Sequence, residues 1–192
     1  MPTITALQAE LGRVAFTVVV VGSLAIALGV LGWVRRRGAH RTATTVAVAG
    51  LVVIVLGVLS LTLFGPVPPD AAQRQLYLDP VEGARGWTKI AWNPVIDNIA
   101  LFVPVGAMAG AVWWRRSIVT VWAGCVLFSI AIETFQFLVP TGRVANAADV
   151  VANGVGAAIG IVLAVALGAR AAAARSGRAA AADAGSGGQR RR

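Results

Sequence analysis

Charged residues are scarce in this chain of 192 residues: 13% are Asp, Glu, Lys or Arg, where a soluble domain carries roughly 25%. Only one cysteine and one histidine are present. The lone Cys125 excludes an intramolecular disulfide, and it leaves the compartment unread from cysteine usage. The lone His40, set among arginines, excludes histidine-based triads and His-rich zinc sites, which need several donors. No cofactor motif stands out. Gly154, Gly156 and Gly160 form a loose GxGxxxG pattern, but no strand precedes it and the surrounding sequence is apolar, so no dinucleotide is expected. There is also no repeat with a period of about 20 to 50 residues and no inverted repeat, which argues against a two-fold transporter.

Apolar sequence fills the space that charge leaves. Hydrophobic residues make up 57% of the chain, and the mean hydropathy is +0.76. About 20 apolar residues cross roughly 30 Å of hydrocarbon, and stretches of that order run over 14–34, 44–64, 95–114, 118–139 and 149–168. The pattern predicts an all-α fold: a polytopic membrane helix bundle of five transmembrane helices, forming one domain over 1–168. The first stretch is expected to remain as an anchor, because its positive flank follows the apolar run and no small-x-small cleavage site closes it. After Gly168 the composition turns to Ala, Gly, Ser and Arg without apolar periodicity, so 169–192 is expected to be a disordered basic tail.

The formal charge of +9 raises the question of nucleic acid, but its distribution excludes that reading. Arg35, Arg36, Arg37, Arg41, Arg115, Arg116, Arg170, Arg175, Arg178, Arg190, Arg191 and Arg192 lie in alternate connections or in the tail, and together they are 12 of the 17 basic residues. Asp183 alone opposes them. The other side carries Arg13, Arg74, Arg85, Lys89 and Arg143 against Glu10, Asp70, Asp79 and Glu82. Charge sorted by side is the signature of membrane topology, and the positive-inside rule places the amino terminus outside and the carboxyl terminus in the cytoplasm. Trp87 and Trp92 at one face, with Trp33, Trp113 and Trp114 at the other, fit two interfacial belts. The connection from Gly65 to Pro94 is long enough to cover the outer mouth of the bundle.

Against this apolar background, a few polar residues fall at the outward ends of the last three spans. Asp97 and Asn98 lie in the first turn of the third. In the fourth, Cys125, Ser129, Glu133 and Gln136 recur at steps of 4, 4 and 3, which is one helix face. In the fifth, Asp149, Asn153, Gly156 and Gly160 follow at steps of 4, 3 and 4, again one helix face. Arg143 stands in the link between these two spans, within reach of Glu133 or Asp149. Glu133 is about 9 Å below the outer boundary at the helical rise, and a lone charge deep in a span costs about 2.5–3.5 kcal/mol. Asp97, Asn98, Glu133, Gln136, Arg143, Asp149 and Asn153 are therefore the candidate binding residues. Pro104 is expected to kink the third span or to free a carbonyl, and Gly106 with Gly110, like Gly156 with Gly160, permits close helix approach.

The run Asn98-Ile-Ala-Leu-Phe102-Val-Pro104-Val-Gly106, the segment Glu133-Thr-Phe-Gln136, Arg143, and Asp149-Val-Val-Ala-Asn153-Gly-Val-Gly156 up to Gly160 together resemble the VanZ-like family of small bacterial membrane proteins. The resemblance covers about 93–167, and the first two spans add nothing to it. It implies a multi-pass protein of the bacterial cell membrane, with an expected bearing on susceptibility to the glycopeptide teicoplanin, and it implies no chemical mechanism. From the residues, the leading expectation is an outward-facing site for a polar headgroup: a membrane lipid or a lipid-linked cell-wall precursor. Arg143 would meet anionic oxygen, Glu133 and Asp149 would orient Arg143 or a ligand amine, and Asn98, Gln136 and Asn153 would exchange hydrogen bonds. The alternatives are an intramembrane enzyme, in which three carboxylates hold Mg²⁺ or Glu133 acts as a base, and a transporter, which the apolar inner two-thirds of the spans disfavour.

Overall fold

Helices dominate because a backbone in hydrocarbon must satisfy its own hydrogen bonds. The structure is a computed structural model, and it describes residues 4–37, 41–64, 76–80, 94–113, 115–139 and 145–189. In chain order it comprises α1 (Ile4–Arg37), α2 (Arg41–Phe64), β1 (Leu76–Tyr77), α3 (Pro94–Val112), α4 (Ile118–Leu138), β2 (Ala145–Asn146) and α5 (Ala147–Gln189). Five of the described helices contain segments long and apolar enough to cross a membrane: Glu10–Trp33, Thr44–Thr62, Val95–Val112, Ile118–Leu138 and Ala147–Arg170. The chain is thus a multi-pass membrane helix bundle. Trp87, Trp92, Trp114 and Arg143 lie outside the described residues, as does most of the connection from Gly65 to Pro94.

The bundle is organised around the crossing of α3 and α5, the most extensive helix contact in the fold. Close approach follows from glycine placed where backbone faces backbone. A Cβ at Gly106 would overlap the carbonyl of Ala157, and one at Gly156 would overlap the carbonyl of Ile99. A Cβ at Gly160 would meet the carbonyl of Val103 and come within 2.6 Å of the amide nitrogen of Ala107. Each helix therefore lends its glycine to the other's main chain, as small-residue interfaces in lipid require. Pro104 lies inside α3 and is fully buried. It has no N–H to offer Ala100, yet α3 is continuous from Pro94 to Val112.

Around this crossing, Phe102, Met108, Ile54, Val58 and Ile161 form the core. Phe102 of α3 meets Phe128 of α4 with ring centroids 6.0 Å apart, within the range of favourable aromatic pairs. Helices α1 and α2 pack on each other and on α3, with much of their apolar surface left outward.

Two features differ from the expectations. The unstructured tail expected after Gly168 is instead a continuation of α5 to Gln189. Alanine is the strongest helix former, and extending a helix already begun needs no new nucleus, so the helix runs on through the alanine-rich segment that follows the span. The second feature is a strand pairing. Leu76 and Tyr77, from the connection between α2 and α3, pair in parallel with Ala145 and Asn146. This sets Leu76 and Tyr77 at the end of the bundle where α4 finishes and α5 begins.

A polar cluster at one end of the bundle

Where α5 starts, its first amide groups have no partner within the helix and need capping. Asn146 supplies the cap: its Oδ1 accepts from the amide of Ala148 at 3.0 Å. Asp149 stands in the first turn, where the positive end of the helix dipole favours a carboxylate. Asn and Asp three residues apart form a capping box, in which the second side chain normally reaches back to the cap residue's own N–H. Here that N–H donates to Oε2 of Glu133 at 2.8 Å. A carboxylate from α4 thus performs the reciprocal half of the box and joins the end of α4 to the start of α5.

One turn further in, Nδ2 of Asn153 donates to Oγ of Ser129 at 2.8 Å, and both residues are buried. Oδ1 of Asn153 is also buried, and it accepts no hydrogen bond. Gln136, near the C-terminal end of the same α4 face, donates through Nε2 to the carbonyl of Thr62 at 2.8 Å. Thr62 is in the last turn of α2, whose carbonyls lack helical partners, so Gln136 caps a second helix from the side. Lower in the bundle, Nε1 of Trp122 donates to the carbonyl of Gly154 at 2.9 Å and adds a third tie between α4 and α5.

The structure therefore brings Glu133, Gln136, Asp149 and Asn153 to one end of the bundle. Asp97 and Asn98 join them there: the contact of Ile99 with Gly156 sets their level within about a turn of Asn153. Both are half-buried, and neither takes part in the bonds just described. Arg143 belongs by sequence to the α4–α5 link but lies outside the described residues. The three carboxylates do not assemble into the metal site weighed above, since among the described residues no group of three or more His, Cys, Asp and Glu side chains is placed to hold a metal ion.

Three participants escaped the sequence reading. Asn146 was legible in principle, as an Asn with Asp three residues on, just before an apolar run. Thr62 acts through a backbone carbonyl, for which the side chain gives no sign. Trp122 sits in mid-sequence among apolar residues, and only the packing of α4 on α5 gives its N–H a partner.

A family model described as VanZ/LLP1 matches residues 51–168. The match begins in α2 at Leu51, well before the motifs from 93 onward, so the second span is part of the shared unit even though it carries none of them. No curated protein and no solved structure matches the chain.

Proposed function

The chain belongs to the VanZ/LLP1 family, and from that premise we propose that its polar end engages the headgroup of a membrane lipid or lipid-linked cell-wall precursor in a bacterial cell membrane. The observation that carries the reading is Oδ1 of Asn153, a buried acceptor without a hydrogen-bond partner. Such atoms are rare in native proteins, because leaving one unmet costs about 1–3 kcal/mol. A hydroxyl or amine of a bound headgroup satisfies it.

The remaining groups divide the work. Glu133 and Gln136 hold helix ends and the α4–α5 link in place. Asp97, Asn98 and Asp149, each half-buried near the level of Asn153, are assigned to the rim of the site. Arg143, in the link itself, supplies a planar fork for anionic oxygen. With the end bearing these groups facing outward, as the positive-inside rule predicts, the site faces the leaflet where glycopeptides meet their targets. An effect on teicoplanin susceptibility is the finest part of this proposal.

The test is binding of polyprenyl phosphate to the protein in nanodiscs. Arg143→Ala is expected to weaken binding about tenfold, which is roughly 1.4 kcal/mol. Equal binding by wild type and variant, both folded, removes Arg143 from the site.

A further inference from the structure

The opposite end of the bundle holds a separate feature that rests on none of the reading above. A half-open cavity of about 350 Å³ lies between α2, α3 and α4, a volume within the usual range of ligand pockets. Leu51, Val105, Val121 and Phe128 form its walls, while Trp113 and Arg116 stand at its mouth. Along α4 the lining runs from Thr120 to Phe128, about 12 Å at the helical rise, which is most of one leaflet of a roughly 30 Å hydrocarbon core.

Apolar walls along the depth of a leaflet suit an alkyl chain, and the mouth defines the charge of what the chain carries. Arg116 is exposed there, next to Arg115. Helix α4 starts two residues after Arg116, with Ser117 accepting from the amide of Thr120 at 3.1 Å, so the positive end of a helix dipole points to the same place. By sequence, Arg35, Arg36, Arg37 and Arg41 belong to the same end, and no carboxylate lies in either connection on that side. A phosphate fits this surroundings, and the ammonium of a zwitterionic lipid does not.

We propose that the groove is a site for an anionic phospholipid of the leaflet at the basic end. One acyl chain lies between Leu51, Val105 and Phe128, and the phosphate meets Arg116. Gly124 lines the groove, and a Cβ added there meets nothing within 4 Å, so Gly124→Phe is chosen to carry a ring into the groove.

Native mass spectrometry of protein extracted from vesicles of mixed phosphatidylglycerol and phosphatidylcholine tests the assignment. Wild type is expected to retain phosphatidylglycerol about tenfold over phosphatidylcholine, a difference of roughly 1.4 kcal/mol. Arg116→Gln should retain a lipid but lose the preference, and Gly124→Phe should retain neither. Equal retention of the two lipids by wild type overturns the proposal, as does a preference that survives in both variants. A dimer that Gly124→Phe dissociates overturns it as well, by assigning the groove to a second copy of the chain. Neither variant touches the polar end, so failure here is distinct from failure of the headgroup reading.

Discussion

Glycines are spread through α1 as well as through α3 and α5, but they do different things in the two regions. A Cβ at Gly22 or Gly29 of α1 meets nothing within 4 Å, whereas at Gly106, Gly156 or Gly160 it would run into the main chain of the facing helix. Burial follows the same division: half of the α3 span and 44% of the α5 span are inside the protein, against 17% for α1 and 22% for α2. The lesson is that frequency of small residues does not define a membrane-helix interface. What counts is whether two helices offer glycine to each other's carbonyls at matching heights, and among the described residues only the α3–α5 crossing does so. That crossing also carries Asp97, Asn98, Asp149 and Asn153 at its polar end, so the most tightly packed part of the bundle and the candidate site are one structure.

The largest expected effect breaks this contrast directly. Gly160→Val should destabilise the protein by about 3 kcal/mol or more, since overpacking against backbone cannot be relieved by a rotamer change. Gly29→Val should stay within about 0.5 kcal/mol, as surface changes do. Thermal unfolding in detergent separates the two, and similar melting for both variants would show that α3 and α5 do not cross as described.

A smaller effect is expected one layer out, where α4 grips the start of α5. Glu133→Ala leaves the amide of Asn146 without its acceptor and should cost about 1.5–3 kcal/mol, the range for bonds to charged groups. Amide exchange should rise first at Asn146 and the residues after it. Unchanged exchange there would mean that Glu133 does not perform the reciprocal half of the cap.

The smallest effect concerns Ser129 and Asn153. Interhelical hydrogen bonds in membranes average about 0.6 kcal/mol and reach about 1.7, so Ser129→Ala alone should lower stability by about that much. The pair Ser129→Ala with Asn153→Leu removes donor and acceptor together and should return close to wild type. Additive losses in the double variant would argue against the bond.

Most of the bundle is legible in the sequence, because about 20 apolar residues in a row have few other fates. The boundaries moved only by a few residues: the first span begins at Glu10 and the fifth at Ala147. The spacing of Ser129, Glu133 and Gln136 marked one polar face of α4, and hydrogen bonds from that face reach α2, the α4–α5 link and α5. The parallel pairing of Leu76 and Tyr77 with Ala145 and Asn146 was not legible, since two residues are too few to show a period. The partners of the polar groups were equally hidden. The sequence pattern assigns Glu133 and Gln136 to a ligand, whereas their described bonds go to the amide of Asn146 and the carbonyl of Thr62. Main-chain acceptors and donors have no residue signature, so a pattern of side chains marks a polar layer without dividing it into scaffold and site.

That division is the central claim, and one measurement reaches it: polyprenyl phosphate affinity in nanodiscs for the Ser129→Ala, Asn153→Leu pair beside Gln136→Leu, with both proteins folded. Asn153 is assigned to the ligand and Gln136 to the end of α2, so the first variant should bind about tenfold more weakly, or roughly 1.4 kcal/mol, and the second within about twofold of wild type. Wild-type affinity in the first variant, or an equal loss in both, would contradict the account.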